Sequence, residues 1–422
     1  MSQRRESIGV CVPEIFLPAE AVDKKKWACV ACDQYTSQPE YWEQTEALVG
    51  TEPSTLRLML PEIYLGQEDE QQRIEKIQAS MKEYLEQRML VSRGEGLVYL
   101  ERTAAGRMRR GLMAALELER YDYRKGSQTL IRATEGTILE RIPPRLRVRR
   151  GAPLEMPHII ILIDDPKRTV IEPLAEEKDS LEPLYDTELM QEGGHLQGWM
   201  LREPSRIEKV LDALEALAGS AEGPALLFAL GDGNHSFATA KAGWEEIKKD
   251  LSPEEQENHP ARYALVELEN VHDAGIIFEP IHRVLFGVKP EEFLAWLEQD
   301  MKERNAEGKG GRVHEIPYVT AAKRGTLRVA HPASQLEAGT LQNSLDAYLA
   351  QHPEVRIDYV HGDEVAERLG SQPDSAAFLL PPMAKEDLFP AVIRDGALPR
   401  KTFSMGEARE KRYYMECRKI RP

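Results

Sequence analysis

Residues 224–240 have the sequence pattern of a buried strand, followed by a glycine loop and then a helix. The apolar run Pro224 to Leu230 has the length of a buried strand, and an Ala-rich segment of helical character begins near Ser236. Between them lies the loop Gly231-Asp232-Gly233-Asn234-His235-Ser236, which has two glycines. This order constrains the fold, because the loop must both end a strand and begin a helix.

The chemistry of this loop follows from its place at a helix start. Backbone N–H groups there have no intrahelical partner and carry partial positive charge, so they favour an anion, above all a phosphate. Asp232 and His235 would stand beside that anion, where they can move protons or help to hold a metal. The alternative interpretation is that Ser236 or Asn234 only caps the helix.

Strands and helices alternate along the whole chain. Its 422 residues suffice for two or three domains, and 41% hydrophobic with 30% charged residues is typical of a globular protein. We predict an α/β (α+β) fold with mixed sheets. The charged, Gly-rich stretch Glu307 to Arg312 indicates a domain boundary. The predicted domains are a main α/β domain, 1–305, which carries the loop, and a smaller C-terminal α/β domain, 306–422, whose last segment returns to the site.

Periodicity assigns further elements. Helices are predicted from amphipathic or helical patterns at Glu70 to Gln87, Ser205 to Leu217, Glu291 to Lys302 and Gln335 to Leu349. The second of these has Ser205 and Glu208 at capping-box spacing. Strands are predicted at Leu97 to Arg102, His158 to Ile163, Tyr263 to Leu268, Gly275 to Phe278, Thr326 to Ala330 and Val355 to Val360.

Charge and hydropathy exclude several classes of protein. A net charge of -16 argues against extended binding to duplex DNA, which requires a concentrated basic surface. No apolar run approaches the length of a membrane span, and no hydrophobic region of signal length follows the charged N-terminus. We therefore expect a cytoplasmic protein without a membrane partner.

The four cysteines, at positions 11, 29, 32 and 417, are too few for a disulfide scaffold. Cys29-Val30-Ala31-Cys32 is a lone CxxC, without the further ligands of a closed zinc site. It lies in an apolar run, where thiols behave as small hydrophobic groups. We favour packing over a redox role, and no dedicated metal site is predicted.

Several polar clusters are candidates to join the loop. Arg132, Glu135 and Arg141 lie beside turn residues in the segment 131–141, where an ion pair near a substrate can be positioned. Further on, Arg145, Arg147 and Arg149 would share one face if that segment were extended, and a solvated strand face is the favoured interpretation of these three.

Two more clusters lie towards the C-terminus. His282 and Arg283 follow a predicted strand and pair a titrating imidazole with a fixed cation. A structural role is the more common one for such a pair. Lys401 lies in the loop Pro399-Arg400-Lys401-Thr402-Phe403, whose alternative interpretation is a surface turn.

These segments, in this order, resemble the bacterial and archaeal family named domain of unknown function 1015. The resemblance rests on six stretches, which are 31–35, 56–62, 132–141, 232–240, 281–283 and 398–403. The family's central motif usually reads Asp-Gly-His-His-Arg and is similar to the phosphate-binding motif of the ParB and sulfiredoxin-like fold. That fold includes free-serine kinases, so the resemblance implies a nucleotide-binding core.

The motif of this chain departs from that pattern at two positions. Asn234 stands in place of the first His, and Ser236 stands in place of the Arg. Loss of the guanidinium removes a bidentate phosphate clamp and leaves hydroxyl and backbone donors, unless Arg132, Arg141, Arg283 or Lys401 replaces it.

The leading functional hypothesis is a nucleotide-dependent phosphotransferase acting on a small metabolite, with free serine as the first substrate to consider. Asp232, His235 or Glu135 would orient the hydroxyl or accept its proton. Mg²⁺ would arrive with ATP or ADP. The residues expected to bind the nucleotide are Gly231, Gly233, Asn234, Ser236, Arg132, Arg141, His282, Arg283 and Lys401.

Two alternatives stay open. The first is a nucleotide-binding regulatory module without turnover. The second is a metal-dependent phosphatase, because Asp232 and Asn234-His235 are similar to Gly-Asp and Gly-Asn-His elements of such enzymes. The expected partners are a small-molecule substrate and a nucleotide, with a homodimer as the assembly to test.

Overall fold

A computed structural model describes residues 3–124, 126–219, 226–308 and 312–422. Their contacts divide the chain into two units. Unit 1 contains residues 1–133, 137–276 and 407–422, and unit 2 contains residues 134–136 and 277–406. The chain therefore enters unit 2 at residue 277 and returns to unit 1 at residue 407. Residues 224 and 225 of the predicted strand, and residues 309–311 of the predicted boundary stretch, lie outside the described ranges.

The helices of both units are numbered along the chain. They are α1 (Pro39–Val49), α2 (Glu70–Glu86), α3 (Ile142–Arg150), α4 (Glu172–Glu177), α5 (Pro204–Gly219), α6 (Asn234–Ile247), α7 (Pro253–Asn258), α8 (Pro290–Arg304), α9 (Glu337–Gln351), α10 (Asp363–Gly370) and α11 (Leu388–Asp395). None of the helices in the described ranges combines the length and apolar character needed to cross a membrane.

The strands of unit 1 are β1 (Arg4–Arg5), β2 (Val10–Cys11), β3 (Glu14–Pro18), β4 (Leu90–Glu95), β5 (Leu97–Ala104), β6 (Arg107–Glu117), β7 (Ile131–Ala133), β8 (Leu154–Glu155), β9 (Ile160–Ile163), β10 (Glu182–Leu189), β11 (Gly194–Leu201), β12 (Phe228–Asp232), β13 (Tyr263–Asn270) and, beyond unit 2, β20 (Arg418–Lys419). Those of unit 2 are β14 (Phe278–Phe286), β15 (His314–Thr320), β16 (Arg324–Val329), β17 (Arg356–His361), β18 (Ser375–Phe378) and β19 (Phe403–Met405).

A large mixed sheet organises unit 1. Its strand order is β10-β11-β5-β6-β13-β9-β12-β7, with β2 added on β6 and β1 on β2. Neighbouring strands are antiparallel along the part of the sheet that runs β10-β11-β5-β6-β13. The pairs β13 with β9 and β12 with β7 are parallel. This mixture confirms the predicted α/β fold with mixed sheets.

The two faces of this sheet pack against separate cores, because successive side chains of a strand point to opposite faces. In β13, Ala264, Val266 and Leu268 join a cluster that includes residues of α5 and α6, among them the fully buried Trp244. Leu265 joins the other cluster, to which residues 413–420 contribute Tyr413, Tyr414, Met415, Cys417 and Ile420. The segment 407–422 is thus part of the core of unit 1.

Unit 2 has a sheet and a core of its own. The strand order is β16-β15-β18-β14-β17, with β19 also paired to β14. Residues of α8 and α9 pack on this sheet around Phe293, Leu341 and Phe378, which are almost completely buried. The predicted helix and strands in this part of the chain are confirmed as α9, β16 and β17, with shifted ends.

Three local predictions were wrong. The segment 145–149 is not extended: it lies in α3, whose start is favoured by a proline in its first two positions. Ser205 does not cap α5, because the helix already begins at Pro204 and the Ser205 hydroxyl donates to Glu203 at 2.7 Å. The strand predicted at Gly275 to Phe278 begins only at Phe278.

Candidate functional site

The turn between β12 and α6 depends on Gly233. This residue has φ +76°, a left-handed conformation that costs a side-chain-bearing residue energy. A Cβ built on it would lie 3.0 Å from the Cα of Ile159 and 3.1 Å from the carbonyl oxygen of His158. The N–H of Gly233 donates to Oδ1 of Asp232 at 2.7 Å, which orients that carboxylate at the end of the strand. Both constraints favour glycine at this turn.

The first turn of α6 begins at Asn234, with Gly233 as its N-cap residue. No side chain caps this end of the helix, so the alternative that Ser236 or Asn234 is the cap is wrong. The backbone N–H groups of the first turn are therefore open to an anion. Oδ1 of Asn234 is buried and has no hydrogen-bond partner among the described residues.

A lysine from a distant segment of unit 1 lies beside Asp232. The Nζ of Lys411 is 3.3 Å from Oδ2 of Asp232, and both side chains are about one-fifth exposed. Because Oδ1 of Asp232 already accepts from Gly233, both oxygens of this carboxylate are oriented. The pair places one positive and one negative group at the start of α6.

His158 stands in the strand-side wall of the same region. Its side chain is 7% exposed and makes an edge contact with the ring of Tyr413, with 5.1 Å between centroids. Burial lowers the pKa of His158 by more than the nearby carboxylates of Asp33 and Asp232 raise it. The imidazole is therefore neutral at pH 7 and can accept or donate a hydrogen bond.

Arg145 of α3 ties two carboxylates to this region. It forms an ion pair with Glu62 and lies 3.9 Å from Asp33. Burial raises the pKa of Glu62, and the guanidinium of Arg145 opposes that shift. For Asp33, burial alone would raise the pKa, but His158, Gln34, Arg145 and Lys411 together lower it. Asp33 therefore remains ionised.

His235 accepts a hydrogen bond from the segment that precedes α3. The N–H of Ile138 donates to Nε2 of His235 at 3.2 Å, so Nε2 is an acceptor and the proton of the neutral ring is on Nδ1. Burial, together with the positive charges of Arg145 and Arg141, lowers the pKa of His235 to about 4. The ring is neutral at pH 7, and one of its nitrogens is already engaged.

A cavity of about 140 Å³ opens beside this cluster. Ser236 and Thr239 of α6 line one side, and His158 and Arg145 supply further polar groups. The remaining wall is mostly apolar and includes Leu58, Met59, Leu60, Met81, Leu154, Met156 and Tyr413. The uncapped start of α6 and a mostly apolar cavity with a few polar groups therefore lie next to each other.

The predicted site residues divide between the two units. Unit 1 holds the whole loop 231–236 together with Arg132 and Arg141. Arg132 is 3% exposed in β7, next to Ala229 of β12, and its Nε donates to the carbonyl oxygen of Thr129 at 2.9 Å. Arg141 is exposed and directly precedes α3. The described residues contain no group of three His, Cys, Asp or Glu side chains suited to a metal.

The other predicted residues lie in unit 2, where hydrogen bonds link Glu135, Arg283 and Lys401. Oε1 of Glu135 accepts from the N–H of Lys401 at 3.1 Å. The fully buried Arg283 donates to the carbonyl oxygens of Lys401 and Arg400 at 2.8 and 3.1 Å. Its burial lowers the pKa of the guanidinium to about 10. Arg283 thus holds the loop that carries Lys401.

His282 connects three segments of unit 2. Its Nδ1 accepts from the N–H of Leu380 at 3.1 Å, and its Nε2 is 2.8 Å from a carboxylate oxygen of Asp363. Burial lowers the pKa of this imidazole. Nδ1 is therefore engaged within the unit, whereas Nε2 lies beside the carboxylate without forming a hydrogen bond to any described residue.

Sequence reasoning did not select four residues that the fold places near the loop, Asp33, Glu62, His158 and Lys411. The first two lie in the stretches 31–35 and 56–62 on which the family resemblance rested, so a signal for them was present. His158 and Lys411 have no comparable local signal. The cysteines are all buried, and burial raises the pKa of Cys29 to about 11, in keeping with the packing interpretation.

Solved structures with a partly similar arrangement share little sequence with this chain. A conserved hypothetical protein from Pyrococcus furiosus is 10% identical, with a TM-score of 0.34 over 70% of this chain and 90% of its own. A free serine kinase variant in complex with ADP is 10% identical, with a TM-score of 0.37 over 70% and 88%. C-terminally truncated SbnI from Staphylococcus aureus is 8% identical, with a TM-score of 0.35 over 70% and 82%.

No curated protein matches the sequence. A family model described as "Protein of unknown function (DUF1015)" matches residues 16–348, which is more than half of the chain. The chain therefore belongs to the DUF1015 family, as its motifs predicted.

Proposed function

We propose that unit 1 is a nucleotide-dependent phosphotransferase that acts on the hydroxyl group of a small metabolite. The observation that carries this proposal is the uncapped start of α6, which follows the turn at Gly233 and lies beside a largely apolar cavity. A phosphate at the helix start would accept from several backbone N–H groups at once. The adjoining cavity would take the rest of a ligand.

Positive charge for the phosphates would come from unit 1. Lys411 reaches the loop through Asp232, and Arg141 lies close enough to His235 to lower the pKa of that ring. These cations would compensate for Ser236, which stands where the family's motif usually has an arginine. Phosphoryl transfer needs mainly such positioning and charge neutralisation.

Asp232 is the proposed acceptor of the hydroxyl proton. Its carboxylate is partly exposed and is oriented by Gly233 and Lys411, whereas Nε2 of His235 is already occupied by Ile138. Mg²⁺ would bind mainly to phosphate oxygens, because the described residues provide no complete metal site. Free serine is the first acceptor to assay.

A binding experiment tests the nucleotide part of the proposal. Titration calorimetry with ATP, ADP, CTP and GTP, each with and without Mg²⁺, should identify one nucleotide that binds with a Kd below about 1 mM. Lys411→Met should weaken that binding about tenfold, because it removes a cation from the loop. Lys249→Met, at an exposed position of the same unit, should bind like the wild type. Absence of binding by every nucleotide would refute the proposal.

A turnover experiment separates an enzyme from a regulatory module. Labelled phosphoryl transfer from the bound nucleotide to serine, threonine, homoserine or glycerate should be detectable in the wild type. Asp232→Asn should reduce it about 100-fold, while the exposed control Asp250→Asn should not. Binding without turnover on any acceptor would favour the regulatory alternative, and release of phosphate from phosphomonoesters in the presence of added metal ions would favour the phosphatase.

A further inference from the structure

A second cavity in unit 1, of about 260 Å³, lies between α1, α2 and the segment 56–61. We call it the Trp42 cavity, after the indole in its wall. Its apolar lining comes from Leu56, Met59, Leu60 and Ile77, and its polar lining includes Arg57, Arg73 and Lys76. Met59 and Leu60 also line the cavity beside α6.

The indole N–H of Trp42 is the first indication of a ligand. The side chain is 2% exposed, and its Nε1 has no acceptor among the described residues. A buried donor without an acceptor is unfavourable, and buried tryptophans usually direct this N–H at a partner. The nitrogen is itself almost completely buried, so an acceptor in the cavity would reach it after a small shift of the indole.

The charges around the cavity give the second, independent indication. Arg57 donates to both oxygens of Glu46, at 2.6 and 2.7 Å, and this pair is neutral. Arg73 binds Asp69 at 2.8 Å and stacks on the ring of Tyr64 at 3.9 Å.

Lys76 differs from these two arginines. No carboxylate in the described part of the chain lies within ion-pair distance of its ammonium group. After the pairs are counted, one positive charge therefore remains at the cavity.

We propose that the Trp42 cavity binds a small organic carboxylate with a compact apolar or aromatic body. The carboxylate would accept from the Trp42 indole and lie near Lys76, while the body would pack on Leu56, Leu60 and Ile77. A purely apolar ligand would offer no acceptor to the buried indole N–H, and a small inorganic anion would leave the apolar wall uncovered. This proposal does not depend on the phosphotransferase function.

Benzoate is the probe that tests the proposal, with benzyl alcohol as a neutral molecule of the same size and acetate as an anion without the ring. By titration calorimetry on the full chain, benzoate should bind at least tenfold more tightly than either comparator. Lys76→Met should weaken benzoate binding at least fivefold. Lys82→Met, an exposed lysine of the same helix that does not line the cavity, should leave it unchanged.

The indole is tested separately by Trp42→Phe, which keeps an aromatic ring and removes only the N–H donor. It should weaken benzoate binding about fivefold, and Trp296→Phe in unit 2 should not. If Trp42→Phe does not fold, the exposed Lys76→Met decides the result alone. The proposal is overturned if benzoate fails to bind up to about 10 mM, if benzyl alcohol binds equally well, or if Lys76→Met has no effect.

Discussion

At the residue scale, Gly233 combines two constraints that usually occur apart. Its φ of +76° is unfavourable for any residue with a Cβ, and the space a Cβ would need is taken by the backbone of Ile159 and His158. Backbone atoms cannot move aside as the end of a flexible side chain can. The turn that opens the start of α6 therefore depends on this glycine.

Gly233→Ala should lower the free energy of unfolding by about 1–3 kcal/mol, through backbone strain and the close contact. Urea denaturation measures this directly. The matched change Gly219→Ala lies at the end of a helix, at a position with open space and no positive φ, and it should be neutral or stabilising by up to about 1 kcal/mol. Equal effects of the two substitutions would contradict the role given to Gly233.

The lowered pKa of His235 predicts how the free energy of unfolding depends on pH. Its folded-state pKa is about 4, below the value of about 6.5 expected in the unfolded chain. As the pH falls below about 6.5, the imidazole is protonated in the unfolded state but stays neutral in the folded state. The free energy of unfolding therefore decreases until the pH reaches about 4. Urea denaturation at pH 7 and pH 5 should show a loss that is smaller in His235→Gln by about 1 kcal/mol. The exposed His331→Gln should keep the wild-type slope, and an unchanged slope in His235→Gln would refute the assignment.

At the scale of elements, the arginines of α3 lie on different faces of the helix. Arg145 points to Glu62 and Asp33, with a side chain only 12% exposed, whereas Arg147 pairs with Glu70 and is 42% exposed. Positions 145 and 149 are one helical turn apart, which places 147 on a different face. An extended segment would have aligned all three.

Removal of each arginine should therefore have unequal effects. Arg145→Met leaves two partly buried carboxylates without their cation and should cost about 1–3 kcal/mol of unfolding free energy. Arg147→Met breaks a more exposed pair and should cost less than about 1 kcal/mol. An NMR titration of Arg145→Met should also show the pKa of His235 rising above about 4, since a positive charge near the ring is lost. Equal destabilisation by both variants would contradict this account.

Sequence patterns predicted the long helices, whose apolar residues recur over several turns, and the uniformly buried strands. Helices α2, α8 and α9 and strands β5 and β13 were all predicted, with shifts of a few residues at their ends. The errors involve short segments. Ser205 has the residue type of a cap but lies one position inside α5, and residues 145–149 alternate like a strand although Pro143 and Pro144 begin a helix. In both cases neighbouring residues outweighed the local pattern.

The candidate site was predictable in part. The loop 231–236 was recognisable, because two glycines lie between an apolar run and a helical segment. Its surroundings were not, since Asp33, Glu62, His158 and Lys411 come from four separate segments that tertiary packing brings together.

At the scale of the whole molecule, the order of segments differs from the order of units. Residues 277–406 form a sheet and a core of their own, while the flanking segments on both sides belong to unit 1. The predicted division at 305–306 stays a prediction, because part of the stretch that suggested it, residues 309–311, lies outside the described ranges. Contact units and independently folding domains need not coincide, and fragments distinguish them.

A fragment of residues 277–406 should fold alone and melt cooperatively by circular dichroism, because its buried core is made within these residues. A fragment of residues 1–276 should not, since it lacks Tyr413, Met415 and Cys417 from its core and the β20 partner of β8. It also lacks Arg418, whose Nε binds the buried Glu155 at 2.9 Å. Cooperative melting of 1–276, or its absence in 277–406, would refute this division.

The return of the chain to unit 1 at residue 407 has a consequence for synthesis. Residues 277–406 are synthesised between the early part of unit 1 and residues 407–422. At roughly 5–20 residues per second, their synthesis takes on the order of ten seconds. During that time the early part of unit 1 has no Lys411 beside Asp232 and no Tyr413 against His158. The Asp232 loop is therefore completed late, and a chaperone that binds nascent chains would meet this protein with an exposed apolar face and an unfinished site.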